Sequence, residues 1–189
     1  MDARDAQEAL EETGSRNGRV ALLIAMLAAC LAIVEVSGGN ADQDATKYNI
    51  DAANLWAFFQ AKTIRRSEVL NFADLGDLAL PDVRPERQDA FRQQIRKWRE
   101  TADRYESEPS TNEGRRELMA RAQAAEQQRD LALAAGDKFD YASGAFQLGI
   151  VLASSAIVLG IVWLIWLAGG LGLLGITLAV LGWFAPALI

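Results

Sequence analysis

Apolar residues are distributed along the chain in two ways. Residues 20–36 and 146–189 are nearly unbroken apolar runs, whereas between them apolar residues recur every three or four positions among charges. An unbroken run of about 20 residues is what a helix needs to cross hydrocarbon. A three–four repeat is the buried stripe of an amphipathic helix. The pattern predicts an all-α membrane protein with three transmembrane helices, one N-terminal and two in a C-terminal hairpin, plus an extramembrane helical, coiled-coil-like bundle.

The expected boundaries are a polar N-terminal tail over 1–19, a first span over 20–36, the extramembrane bundle over 37–145, and spans over 146–167 and 171–188. The last two apolar runs are too long together for one helix, so Gly169-Gly170 is read as a tight turn between them. Trp163 and Trp166 then flank the turn. Tyr141, Phe146, Trp183 and Phe184 belong at the other interface, the distribution of aromatic belts. Each span also carries small residues at a four–three spacing: Ala21, Ala25, Ala28 and Ala32; Gly149, Ala153, Ala156 and Gly160; and Gly175, Ala179 and Gly182. Small side chains let helices approach closely in lipid, so these rows are candidate faces for helix packing or oligomer contact.

Residues 37–145 read as helices over about 41–72, 86–107 and 112–145. Gly38-Gly39 is expected to break the chain after the first span, and Gly76, Pro81 and Pro85 to end the first polar helix. Tyr48, Leu55, Trp56 and Phe59 mark one apolar stripe. Phe91, Ile95, Trp98, Ala102 and Tyr105 form a heptad seam, and Leu118 opens another that continues into the second span. From these rhythms, 86–107 and 112–145 are expected to form an antiparallel hairpin, with 41–72 as a third member of the bundle. The helix from 112 is expected to run without interruption into the bilayer.

Composition narrows the functional classes. The formal charge of the 189 residues is −6, the wrong sign for a nucleic-acid surface. There is no histidine, so the commonest general base and metal ligand are missing. The single cysteine, Cys30, closes a Leu27-Ala28-Ala29-Cys30 box like that of a processed lipoprotein. Five acidic residues in the preceding region, and apolar sequence after the cysteine, argue against that processing. Arg16 and Arg19 abut the first span, against Lys47 beyond it, which places the N-terminus in the cytoplasm and the helical middle in the periplasm.

The stretch "WAFFQAKTIRR", residues 56–66, crowds three aromatics ahead of a basic run. It suits either an exposed ligand platform or the inside of a bundle. Its stripe favours the inside, with Phe58 turned toward another subunit or a lipid headgroup. "GGNADQDATKYNIDAANLWAFFQAKTIR", followed later by "GDKFDYASGAFQLGIVLASSAIV", resembles the bacterial domain-of-unknown-function 4337 family over roughly residues 18–185. The resemblance implies an N-terminal span, a helical middle, two C-terminal spans and a place in the bacterial inner membrane. It implies no activity. Relatives often carry basic residues between the last two spans, where this chain has only "LAGGLG".

No catalytic constellation is present in the sequence. Carboxylates alternate with arginines on helix faces, as a solvated, ion-paired surface does. The glycines fit no phosphate loop, since no strand precedes them. Glu35 stands out as an ionisable group at the end of an apolar run, a candidate ion or partner contact. The expectation is a non-enzymatic scaffolding protein without cofactor or metal. Its expected partners are the lipid bilayer and further copies of itself or other membrane proteins. The alternative is an oligomeric channel with Glu35 near the pore mouth.

Overall fold

The structure, a computed structural model, describes residues 3–188, with side chains from Asn17 to Leu188. Arg16, used in the topology argument, has its side chain outside the described residues. The described chain is α-helical throughout, with no strand: α1 (Ala3–Ala79), a 3-10 turn (Leu80–Asp82), α2 (Pro85–Glu106), α3 (Arg115–Leu159) and α4 (Trp163–Phe184). Three of these helices are long and apolar enough to cross a membrane. The chain divides into two compact units, Met1–Ala45 with Asp130–Ile189, and Thr46–Arg129.

The first unit packs the apolar part of α1 against α3 and α4. Val20, Leu27, Val34 and Ala41 recur every seven residues on α1 and are all buried. Leu27, Val34 and Ala41 share a core with Phe139, Ala142, Phe146 and Ala179, while Val20 meets Ala153 and Ala168. On α4 the buried row is Leu164, Ala168, Gly172, Gly175, Ala179 and Gly182. The glycines in it are recesses for large side chains: a Cβ on Gly175 would stand 2.8 Å from the Phe146 ring. Large residues on α1 and α3 thus enter notches on α4.

Several expected boundaries are corrected. The turn between the last two apolar helices lies at Gly160–Val162, not at Gly169-Gly170, which are inside α4. Gly160 has φ +70°, a left-handed conformation that glycine adopts without a Cβ penalty, and so it ends α3 instead of continuing a packing row. A glycine pair inside an apolar helix costs about 1 kcal/mol per residue in propensity, which by itself does not end a helix. Gly38-Gly39 does not interrupt α1, and Gly38 is buried against Phe139. Residues 37–45 and 130–145, assigned above to the polar bundle, belong to the apolar unit, where the Phe139 and Trp183 rings stand 5.7 Å apart.

In the second unit, α1 runs past Gly76 to Ala79 because Gly76 is where α2 comes close: a Cβ there would lie 2.9 Å from Ile95. Pro81 falls in the 3-10 turn, and Pro85 opens α2, where its missing N–H is no loss. The expected three-helix bundle is not formed. Going down α1, Gly76 meets Ile95, Phe72 meets Trp98, and Arg66 meets Glu106; further down, Thr63 meets Arg115 and Trp56 meets Glu126. So α2 and the start of α3 do not form a hairpin with each other. They follow one another in the same direction along α1, each antiparallel to it. The stripes of α2 and of the start of α3 both face α1, because a heptad repeat marks a face without naming its partner.

Candidate functional site

The aromatic–basic stretch lies where α2 gives way to α3. On α1 the residues buried at the seam include Ala45, Ala52 and Ala73. Tyr48, Leu55 and Lys62 are seven apart, so Lys62 takes a seam position, and it is 6% exposed, the one buried charged residue among those described. Its Nζ is 5.3 Å from the Tyr105 ring centroid and 5.6 Å from that of Phe58. The carboxylates of Glu108 and Glu113, both in the α2–α3 connection, stand 3.9 Å from it. An ammonium between two π faces and two carboxylates is compensated for much of its lost hydration.

A second layer of charge surrounds this one. Glu106 accepts from Arg115 Nη1 at 2.6 Å and Arg116 Nε at 3.3 Å, with Arg66 Nε 3.1 Å away. Burial pushes the Glu106 carboxyl up, but the hydrogen bond and charge of Arg115, with Arg116 and Arg66, outweigh it and hold the group below its ordinary value. Arg115 also donates through Nε to Thr63 Oγ1 at 2.9 Å and lies over the Phe59 ring, 5.0 Å from its centroid. Glu117, in the first turn of α3, accepts from Ser107 Oγ at 2.6 Å and from the Glu108 backbone N–H at 3.2 Å. The Ser107 hydrogen bond is the main reason its carboxyl is lowered, against the opposing effect of burial. Trp56 donates through Nε1 to Glu126 Oε1 at 2.9 Å and meets Phe59 edge to face at 5.4 Å.

One face of the stretch is therefore the inside of a helix interface, while Phe58 and Ile64 remain exposed. The aromatics and cations of the inner face bind the α2–α3 connection to α1. Among the described residues no cluster of His, Cys, Asp or Glu fits a metal ion. Lys62, Glu106 and Arg115 were not singled out from the sequence. The available signal was the stripe itself: Tyr48 and Leu55 lead by sevens to a lysine.

The residues singled out from sequence are placed as follows. Ile95, Ala102 and Leu118 are buried, and Tyr48, Leu55, Trp56, Phe59, Phe91, Trp98 and Tyr105 are half-buried. Gly149, Ala153, Ala156, Gly175, Ala179 and Gly182 are buried within the chain. Ala21, Ala25, Ala28 and Ala32 are exposed, since the face α1 packs inward is the Val20–Leu27–Val34 row. Glu35 is exposed and lines an open groove of about 480 Å³ with Asp42, Asp140 and Gln147. Asp77 is ion-paired to Arg99.

These features define a chain whose described residues are helical, with three helices long and apolar enough to cross a membrane and a polar coil cross-linked by charge. The chain matches the family described as Domain of unknown function (DUF4337) over residues 16–185, and it belongs to that family. Comparison with curated proteins gave no match, and neither did comparison with solved structures.

Proposed function

We propose that this is a non-enzymatic integral protein of the bacterial inner membrane that acts as a scaffold, self-associating or serving as an accessory subunit of a larger membrane complex. The observation that carries the reading is the direction of its apolar surface. Only 17%, 33% and 28% of the most apolar windows of the three long helices are buried inside the chain. Apolar faces of that extent are unstable against water and call for lipid or other helices. Trp163 and Trp166 at one end of α4, and Trp183, Phe184 and Tyr141 near the other, are exposed, as interfacial anchors are. The exposed Ala21–Ala32 row supports association through α1. By the positive-inside rule the Thr46–Arg129 unit lies in the periplasm.

Particle size in detergent tests this. The purified protein is expected as an assembly larger than one chain, and a monodisperse single chain without partners refutes self-association. Ala25→Leu with Ala28→Leu, on the exposed row, is expected to shrink the particle without lowering the melting temperature. The groove beside Glu35 supports the second reading, an oligomeric channel. For it, ion flux in liposomes that is lost with Glu35→Ala is the required result.

A further inference from the structure

We propose that Lys62 is the register lock of the Thr46–Arg129 coil, holding α2 at one heptad position along α1. The argument starts from an offset. Arg66 faces Glu106, whereas Thr63, three residues before it on α1, faces Arg115. Over three residues of α1 the opposite helical path therefore advances by nine, a surplus of about one heptad that is looped out between α2 and α3. Looping out a whole heptad keeps both helices in phase with the α1 seam. The same phase means that α2, displaced by one heptad, would again present its seam to α1. Ile95 at the Gly76 notch and Trp98 against Phe72 favour the observed register at the far end of α2, but only Ile95 and Ala102 of α2 are buried, so apolar packing holds the register with few contacts.

At the other end of α2, discrimination comes from Lys62. In the observed register, Tyr105 in the last turn of α2 and Glu108 two residues beyond its end converge on its ammonium, with Glu113 reaching it from further along the connection. Displacing α2 by a heptad removes Tyr105 and Glu108 and strands a cation in the seam, a cost of the kind that lets a single polar core residue set register in coiled coils. Glu106, shared by Arg66 of α1 with Arg115 and Arg116 of α3, opposes the same displacement. The lock belongs to the coil alone and stands whether or not the protein is a membrane scaffold.

The test is a pair of spin labels in the full-length chain with Cys30→Ala, one at Ser67 on α1 and one at Lys97 on α2. With Lys62 present, one narrow distance distribution is expected. In Lys62→Met, a broadened distribution or a second population is expected, from displacements of about 10 Å along the coil. The Glu108→Gln, Glu113→Gln double variant is expected to broaden it in the same way, so loss of folding in one variant leaves the other decisive. An unchanged single distribution in either folded variant overturns the lock.

Discussion

At the scale of the residue, the features with the most consequence are the charges around the α2–α3 connection. Glu108 and Glu113 are partly exposed, so removing either leaves Lys62 with one carboxylate and access to water. Glu108→Gln is expected to lower stability by about 1–2 kcal/mol, read by denaturant unfolding in detergent. Lys62→Met removes the ammonium whose burial carries the desolvation cost, and is expected to leave stability unchanged or raise it, a pattern that separates specificity from stability. Glu106 and Glu117 both sit below their ordinary value of 4.5. A depressed carboxylate contributes stability that is complete above the ordinary value and is lost as pH falls through the lower folded value. The melting temperature of the Thr46–Arg129 unit is therefore expected to fall as pH drops below about 4.5, and Glu106→Gln to flatten that dependence.

Elements respond to different contacts. α4 is notched by glycine, and Gly175→Leu drives a side chain into the space of the Phe146 ring. That overpacking is expected to cost about 1–3 kcal/mol and to be read as a lower melting temperature in detergent. Gly160→Ala places a Cβ in a left-handed conformation with open space around it, so its expected cost is about 1–2 kcal/mol from the backbone alone. The two substitutions separate close packing from turn geometry. α2 is the element with the least buried apolar surface named in its own interface, Ile95 and Ala102, and its amides are expected to exchange with solvent faster than those of α3.

At the scale of the whole molecule, the two units differ in what surrounds them. Leu22, Met26, Ile33 and Val36 on α1, and Leu173, Leu174 and Ile176 on α4, face outward in the apolar unit. The Thr46–Arg129 unit instead presents charge along α2, where Arg99 pairs with Asp77. A protease added to sealed inner-membrane vesicles is expected to spare this unit, and added to permeabilised cells to cut it, if it occupies the periplasm. Cleavage in the vesicles would reverse the assigned topology.

Helical class and the three apolar segments were legible in the amino-acid sequence, because hydrophobic patterning is a local property of the chain. Membership of the family was legible too, in "WAFFQAK" and "DKFDYA". The chain order also determined that Pro81 and Pro85 separate α1 from α2. What only the tertiary structure decided was which faces meet. Gly160 became the turn and Gly169-Gly170 did not, since a left-handed residue is set by the path the chain must take. Gly38 and Gly76 became close-packing positions within α1, since the cost of a helical glycine is repaid only where another helix arrives. The seams of α2 and α3 turned to α1 instead of to each other, and Lys62 became the centre of a charge cluster whose members lie as much as fifty residues apart in the chain. Long-range pairing depends on the relative phase and direction of whole helices, and no window of sequence a few turns long contains that information.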